Sequence, residues 1–255
     1  MNAIPSTTNL HGGVIPDPEA LPAPPEEFRR QLDHSLKLWA EQGFQVAWLE
    51  IPITNAGLIP IAVDAGFLFH HSSKGYLMLT YQLAPEAFIP PYATHYVGAG
   101  GVVLNEKREL LVVWERVDRT KRPYYYKLPG GVLKLGEHLV DGVMREIHEE
   151  TGVLTRFESL VCLRHAHGYR FGKSDIYFVC RLAPLTRKIR IQAREILESL
   201  WMPVEAFLAN EHVGVFNKRI VQAALECKGG MVPSWIAGYE FDPALREIFM
   251  PPQRE

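Results

Sequence analysis

One stretch of the sequence, residues 131–153, constrains the fold and chemistry of this 255-residue chain more than any other. Its apolar residues recur with helical spacing, and acidic residues cluster beside them. At about 100° per residue on a helix, Glu146, Glu149 and Glu150 share an arc of about 100°. The adjoining apolar stripe consists of Val140, Val143, Met144 and Ile147. The pattern predicts a helix ending near Glu150, with one face on the core and a strongly negative face beside it.

The negative charge of this helix requires compensation. Residues 137–150 contain five acidic residues and one base, Arg145. Like charges one turn apart destabilise a helix by about 0.2–0.5 kcal/mol per pair. Arg145 can brace the cluster by pairing with Glu149 four residues on or with Glu137 two turns back. Hard divalent cations also offset the repulsion, because carboxylate oxygens hold them while water and phosphate fill their remaining positions. For three glutamates taken alone, a solvated acidic helix face is the more common explanation.

The glycines around the helix complete a longer pattern. Gly130 and Gly131 allow a close backbone approach before the helix, and Gly152 fits its C-terminus. From Gly131 the sequence reads Gly-x5-Glu-x7-Arg-Glu-Ile-x-Glu-Glu-x-Gly-Val. This pattern resembles the signature of the Nudix hydrolases, with every fixed position filled, and the preceding Lys127-Leu-Pro-Gly-Gly is similar to the family's entry to that motif. The resemblance implies an α/β (α+β) fold, an α/β/α sandwich with a mixed sheet.

The resemblance also implies an activity and a metal. Nudix enzymes use water and Mg²⁺ or Mn²⁺ to cut a phosphoanhydride bond in a nucleoside diphosphate linked to another moiety. Carried over to this chain, the implied metal ligands are Glu146, Glu149 and Glu150, and the carbonyl of Gly130 is a further candidate. The metal would lower the pKa of the attacking water and neutralise developing charge.

The other catalytic roles are less fixed by the resemblance. Glu137 and Arg145 would brace the motif structurally. The general base comes from the motif helix in some relatives and from a later loop in others. The helix offers Glu149 and Glu150. The later candidates are Glu195 and the competing Glu198, in a segment similar to the glutamate-then-Trp-Met-Pro stretch downstream of many Nudix motifs, although either residue taken alone fits a surface carboxylate as well.

Candidate substrate contacts lie in two loops. Residues 116–127 are basic and aromatic, and Arg122 and Tyr126 there could attract phosphate and stack on a base. A solvated hairpin explains that loop equally well. Arg170 follows a predicted strand and is a third candidate. For His165, His167 and Tyr169 near it, contact with a nucleotide and an ordinary loop position are both open. Ser174-Asp175 is expected to turn the chain.

The N-terminal half extends the resemblance. Segments 48–51, 66–71 and 92–97 are similar to a Nudix subgroup of plants and animals that carries a leading module. This subgroup includes plant ADP-ribose/NADH pyrophosphatases and the vertebrate antisense fibroblast-growth-factor protein. We expect a disordered proline-rich segment at 1–25, a small α/β module at 26–94, the Nudix domain at 95–227 and a tail at 228–255.

Hydrophobic periodicity and turn residues predict the remaining elements. Helices are expected at 28–39, 58–65 and 213–226. Strands are expected at 45–51, 67–71, 76–82, 156–165 and 176–182. Strands 96–104 and 109–115 are expected to form a hairpin around residues 105–108. Because adjacent residues of a strand face opposite sides, His70 and His71 are not expected to share an ion.

Composition excludes several classes of protein. Twenty-seven basic and 29 acidic residues give a net charge of −2, which argues against broad nucleic-acid coating. Three widely spaced cysteines without a CxxC pair argue against a disulfide framework and a structural zinc site. The longest apolar runs are too short for a membrane span. The N-terminus lacks the pattern of a secretory signal, so a cytoplasmic protein is expected. Gly98-Ala-Gly-Gly lacks dinucleotide-motif spacing and indicates close strand packing.

Three functions stay open at this point. The subgroup favours hydrolysis of ADP-ribose or NADH, a small-molecule nucleotide substrate. The motif itself handles only phosphates and metal, so oxidised nucleotides and RNA caps are alternatives. A non-catalytic nucleotide-sensing regulator is an alternative from another class. Because many ADP-ribose-type relatives dimerise, a homodimer is a further expectation.

Overall fold

The computed structural model describes residues 2–227 and 229–252. The chain divides into two compact units between Ala93 and Thr94, one residue before the expected boundary. Unit 1 denotes the part up to Ala93, and unit 2 the part from Thr94 onward. Within the described residues no helix combines the length and the apolar character needed to cross a membrane.

Unit 1 is a five-stranded sheet with two α-helices. In chain order its elements are β1 (Ser6–Thr8), β2 (Gly13–Pro16), α1 (Pro25–Glu41), β3 (Val46–Pro52), α2 (Ile59–Asp64), β4 (Leu68–Ser72) and β5 (Tyr76–Gln82). The strand order is β1-β2-β3-β5-β4. Phe28, Leu32 and Trp39 are buried on one face of α1, as their helical spacing predicts.

The expected disorder of residues 1–25 is wrong for the described residues 2–25. Ile4, Val14 and Leu21 are buried in the unit 1 core, and β2 pairs in parallel with β3. The prolines are compatible with this order because of where they lie. Pro25, for example, is the first residue of α1, where its missing N–H would have no helical partner.

The two adjacent histidines of β4 also differ from expectation. A register shift between Phe69 and His71 interrupts the alternation of β4. The Nδ1 atoms of His70 and His71 therefore lie 2.7 Å apart, within hydrogen-bond distance. A bulge of this kind re-aims side chains, which the two-residue period of a regular strand cannot anticipate.

Unit 2 is an α/β assembly of three sheets and three α-helices in its described part. Its elements are β6 (His95–Val103), β7 (Glu109–Glu115), β8 (Gly130–Val132), α3 (Leu139–Thr151), β9 (Thr155–Ala166), β10 (Ser174–Pro184), β11 (Ile196–Pro203), α4 (Val204–Ala209), α5 (Val215–Glu226), β12 (Val232–Pro233) and β13 (Phe249–Met250). The sheet orders are β8-β6-β10-β9, β11-β7 and β12-β13.

The predicted hairpin of β6 and β7 is wrong as a ladder, although its turn is present. Asn105 closes the turn, since its Oδ1 accepts from the backbone N–H groups of Lys107 and Glu109. Beyond one bridge, Leu104 to Leu110, the strands diverge: β6 pairs with β8 and β10, and β7 pairs with β11. The turn residues therefore predicted correctly that the chain reverses here. They did not predict which strands pair with β6 and β7.

The helix α3 packs against β6 and lies at the centre of unit 2. Val143 and Ile147 are fully buried. A side chain on Gly101 of β6 would collide with Ile147, which confirms close packing as the reason for that glycine. The described part of the tail holds the start of α3, because the Glu247 carboxylate accepts from the N–H of Leu139 at 2.8 Å and of Val140 at 3.3 Å.

Candidate active site

A cavity of about 390 Å³ opens beside α3 in unit 2. We call it the charged cavity. Charged, aromatic and amide side chains line most of it, among them Glu115, Arg122, Tyr125, Lys127, Arg164, Arg170, Asp175, Tyr177, Phe216 and Asn217. Backbone from Gly130 to Val132 forms a further part of the wall. The volume is within the range of small-molecule sites.

The predicted helix positions its acidic residues beside the two glycines. Helix α3 ends at Gly152, whose φ of 72° is the left-handed conformation that glycine adopts without strain. Because Val143 and Ile147 face the core, Glu146 and Glu150 lie on the side toward Gly130 and Gly131.

Glu150 is the most unusual carboxylate of the site. It is only 5% exposed, and one of its oxygens accepts from the N–H of Gly130 at 2.9 Å. Burial raises the pKa of Glu150 to about 7, and the nearby charge of Lys127 opposes this rise. A buried carboxylate with one backbone hydrogen bond is poorly compensated as an anion, and a hard cation is a partner that would compensate it.

Glu146 depends on the absence of a side chain at Gly131. A Cβ at Gly131 would lie 2.5 Å from the carboxyl carbon of Glu146. A Cβ at Gly130, where φ is 152°, would collide with the carbonyl of Ala99. Both glycines are therefore needed for the close approach of this backbone to the acidic face of α3 and to β6.

Arg145 and Glu137 form the predicted brace. The guanidinium of Arg145 binds both carboxylate oxygens of Glu137, at 2.5 and 2.8 Å. This pairing lowers the pKa of Glu137 to about 2. Arg145 also contacts Glu146 at 2.8 Å and Glu149 at 3.2 Å. A single cation thus holds three acidic side chains in place.

Glu149 takes a different environment from Glu146 and Glu150. Its side chain is 42% exposed and pairs with Lys134 at 3.4 Å as well as with Arg145. Throughout residues 2–227 and 229–252, no three His, Cys, Asp or Glu side chains are arranged to hold a metal ion. The structure brings Glu146 and Glu150 to the glycine pair and leaves Glu149 among cations. The chemistry of this donor set, carboxylate oxygens of which those of Glu150 are buried, still fits a hard divalent cation.

The cations of the charged cavity differ in how much of their charge is already paired. Arg122 binds the buried Asp118 at 2.7 Å, Lys127 pairs with Glu115, and Arg164 pairs with Asp175. Arg170 lies over the ring of Tyr169 and has no carboxylate within ion-pair distance in the described chain. Of these four cations, Arg170 is therefore the one whose charge is most available to an anionic ligand.

Tyr126 does not line the cavity, contrary to its expected role in substrate binding. It is 8% exposed, and its hydroxyl donates to the Glu198 carboxylate at 2.6 Å. Burial raises the pKa of Tyr126. Its neighbour Tyr125 lines the cavity instead, with Arg122 over its ring at 4.3 Å. The expected residues Arg122 and Arg170 both line the cavity.

Glu195 and Glu198, the two later candidates for the general base, lie outside the lining of the charged cavity. Glu195 is exposed and lines a neighbouring cavity together with Glu115, which belongs to both linings. Glu198 is occupied by the hydroxyl of Tyr126. The histidines at 165 and 167 are likewise absent from the lining, and His165 instead contacts His95 at 2.9 Å.

Several residues of the cavity were missed by sequence reasoning. Asp175 was expected in a turn, yet it is a buried residue of β10 that pairs with Arg164 of β9. Tyr177 lies two positions further along β10 and also lines the cavity. Residues two apart on a strand face the same side, so this spacing was a signal in the sequence that could have indicated both. Phe216 and Asn217 come from the first turn of α5 and carried no pattern that distinguished them.

Comparison with protein families gives two matches along the chain. A family model described as Nudix hydrolase domain matches residues 4–83, and one described as NUDIX domain matches residues 94–223. The second match alone covers half of the chain.

Three curated relatives illustrate the similarity. Nudix hydrolase 8 of Arabidopsis thaliana is 43% identical over 200 residues, which is 78% of this chain and 54% of the relative. Nudix hydrolase 2 of Arabidopsis thaliana is 41% identical over 80% of this chain and 74% of the relative. Nucleoside diphosphate-linked moiety X motif 6 of Mus musculus is 37% identical over 78% of this chain and 64% of the relative. The chain thus spans between about half and three quarters of the length of these relatives.

Proposed function

Because the chain belongs to the Nudix hydrolase family, a family of pyrophosphohydrolases, we propose that it hydrolyses a phosphoanhydride bond in a nucleoside diphosphate linked to another moiety. ADP-ribose or NADH is the proposed substrate, and Mg²⁺ or Mn²⁺ the proposed cofactor. The observation that carries the proposal is the buried Glu150 at Gly130, beside a cavity lined by four cations.

The proposed metal site uses the acidic face of α3. Glu146 and Glu150 would hold the ion together with Glu149, and the carbonyl of Gly130 is a further candidate ligand. A bound divalent cation supplies charge neutralisation at the phosphates and a lowered pKa for the attacking water. Arg145 and Glu137 keep the carboxylates in position through their paired hydrogen bonds.

The side chains of the cavity supply binding and orientation. Arg170 attracts the diphosphate, because its charge has no carboxylate partner in the described residues. Arg122 and Lys127 extend the positive wall, although Asp118 and Glu115 already offset part of their charge. The exposed rings of Phe216 and Tyr169 offer flat surfaces for a base.

The proposal assigns the general base to α3. Glu149 is the carboxylate of the motif with the most access to water, at 42% side-chain exposure. Glu195, which lines the neighbouring cavity, is the alternative base on the later segment. Positioning and electrostatics, rather than covalent chemistry, would provide most of the rate.

A substrate panel tests this function. Purified protein with Mg²⁺ or Mn²⁺ is incubated with ADP-ribose, NADH, oxidised nucleoside triphosphates and capped RNA, and the products are separated by chromatography. We expect ADP-ribose or NADH to yield AMP, and Glu150→Gln to lower turnover by about 10²–10³-fold. Asp141→Asn is the matched control, because this acid is an exposed residue of the same helix. Binding without cleavage of any substrate would support the regulatory alternative instead.

Two further expectations belong to this proposal. A homodimer, inferred from the dimerisation of ADP-ribose-type relatives, is tested by light scattering on the purified chain. A cytoplasmic location is tested by fractionation of cells that express it.

A further inference from the structure

Unit 1 has a cavity of its own, of about 420 Å³. We call it the neutral cavity. Its apolar walls come from Val46, Trp48, Phe88 and Pro90, and its polar side chains come from Asn9, His11 and Gln45. Phe88 is 80% exposed, which leaves a large aromatic face beside the opening. The volume lies in the range of small-molecule sites, and the lining has the mostly apolar character of such sites.

Two N–H donors at this cavity have no acceptor among the described residues. The Oδ1 atom of Asn9 accepts from the backbone N–H groups of His11 and Gly13, at 2.9 and 2.8 Å. These two bonds fix the orientation of the amide, so its Nδ2 donor points away from them. The indole Nε1 of Trp48 can only donate, and the Trp48 ring packs against the ring of His70.

The two donors lie close together because residue 13 is glycine. A Cβ on Gly13 would lie 2.5 Å from Nδ2 of Asn9 and 2.9 Å from Nε1 of Trp48. The two nitrogens therefore lie at most 5.4 Å apart, a separation that one acceptor oxygen at about 2.9 Å from each can bridge. Any side chain at position 13 would push the donors apart.

An acceptor at the same cavity complements these donors. The Nε2 group of Gln45 donates to the carbonyl of Gly43 at 3.0 Å. Since a carbonyl only accepts, this bond fixes the orientation of the Gln45 amide and leaves its Oε1 as an acceptor. The lining therefore offers two donors for an oxygen and one acceptor for an N–H group.

The wall at Pro90 is held by a chain of hydrogen bonds. The carbonyl of Pro90 accepts from Nε2 of His70 at 2.7 Å. The Nδ1 atoms of His70 and His71 lie within hydrogen-bond distance at 2.7 Å, and Nε2 of His71 lies 3.3 Å from the hydroxyl of Tyr76. The Trp48 ring packs edge-on against His70, at 5.0 Å between ring centroids. The cavity is thus formed before any ligand arrives.

We propose that the neutral cavity binds a small planar aromatic amide. The amide carbonyl accepts from Asn9 and Trp48, its N–H donates to Gln45, and the ring packs on Phe88 and Pro90. No Lys, Arg, Asp or Glu belongs to the lining, which disfavours a ligand that carries a full charge. This site is separate from the proposed hydrolysis, since every residue it uses belongs to unit 1.

Benzamide is the probe, and toluene is the matched ring without the amide. Dissociation constants are measured by ligand-observed NMR on the full chain. A ¹H–¹⁵N spectrum of the labelled protein follows the indole N–H resonance of Trp48, which is identified by its loss in Trp48→Phe. We expect saturable benzamide binding that shifts this resonance, and at least tenfold weaker binding of toluene. Gly13→Ala should weaken benzamide at least tenfold, because the new Cβ displaces both donors.

Gly57→Ala is the control, since a Cβ at Gly57 meets no atom within 4 Å. It should bind benzamide within twofold of the parent. If Gly13→Ala does not fold, Trp48→Phe serves in its place, because it removes one donor and keeps a ring. The proposal is overturned by unsaturable benzamide binding, by equal affinity for toluene, or by parent-like affinity in the donor variant.

Discussion

The charged cavity and the neutral cavity have similar volumes, about 390 and 420 Å³, and opposite chemistry. The charged cavity of unit 2 is lined by six charged side chains, and three of its four cations are paired with carboxylates. The neutral cavity of unit 1 is lined by apolar and amide side chains and by His11. Size therefore does not distinguish what they bind. Paired and unpaired charges suit a phosphate ligand, whereas fixed neutral donors suit a ligand without charge.

The cavities also differ in where their polar groups come from. In unit 2 the acidic groups of the proposed metal site, beside the charged cavity, lie within one helix, so their spacing in the sequence carries the chemistry of that site. In unit 1 the donors and acceptor come from Asn9, Gln45 and Trp48, which meet only after the sheet has formed. Both cavities depend on one glycine that lets polar groups approach, Gly131 in one and Gly13 in the other. Substitution of either glycine should therefore impair its own site and leave the other site unchanged.

Gly131→Ala should have the largest effect among these tests. The Cβ would lie 2.5 Å from the Glu146 carboxyl carbon, so the carboxylate must move, and we expect turnover to fall about 100-fold. Benzamide binding should be unchanged. Steady-state kinetics and ligand-observed NMR on one preparation provide both readings, and parent-like turnover would refute the role assigned to this glycine.

Arg145→Lys should have the next largest effect. Lysine cannot reproduce the two bonds to Glu137 or the contacts with Glu146 and Glu149. We expect about tenfold lower turnover and a decrease of about 1–2 kcal/mol in the free energy of unfolding. Chemical denaturation and kinetics measure the two quantities. A variant with parent-like turnover would show that the brace does not position the carboxylates.

Glu137→Gln should change how the free energy of unfolding depends on pH. The pKa of Glu137 is lowered from 4.5 to about 2 by Arg145, so its ionised form stabilises the fold fully above about pH 4.5. This contribution is lost as the pH falls toward 2. The difference in unfolding free energy between the parent and Glu137→Gln should therefore shrink between pH 4.5 and 2. A constant difference across that range would contradict the ion pair.

Glu195→Gln should have the smallest effect. Because Glu195 lies in the neighbouring cavity, we expect turnover within about threefold of the parent, whereas Glu149→Gln should reduce it about 100-fold. Kinetics of the two variants under identical metal concentrations make the comparison. The opposite order would place the general base on the later segment and not on α3.

The sequence predicted those features that are local in the chain. The family assignment was confirmed by the comparisons, and α3, its brace and the glycine at its end lie where the spacing placed them. The helix, the brace and this glycine all lie within one loop and one helix. Local spacing is enough for such a site, because a helix has a fixed geometry.

The wrong predictions have one of two physical causes. Either the backbone departs from regular alternation, or the segment depends on a partner distant in the sequence. Tyr124 has a left-handed φ of 57°, so this loop is not a regular strand, and Tyr126 packs in the core while Tyr125 lines the cavity. The bulge between Phe69 and His71 likewise interrupts the alternation of β4. The order of residues 2–25 depends on pairing with β3, which composition alone does not encode.

The central claim is that the buried Glu150 and the acidic face of α3 hold a divalent cation for hydrolysis. Its most direct test is a titration with Mn²⁺ followed by electron paramagnetic resonance, comparing the parent, Glu150→Gln and Asp141→Asn. We expect Glu150→Gln to bind Mn²⁺ at least tenfold more weakly and Asp141→Asn to bind it like the parent. Equal Mn²⁺ affinity in the parent and Glu150→Gln would contradict the account.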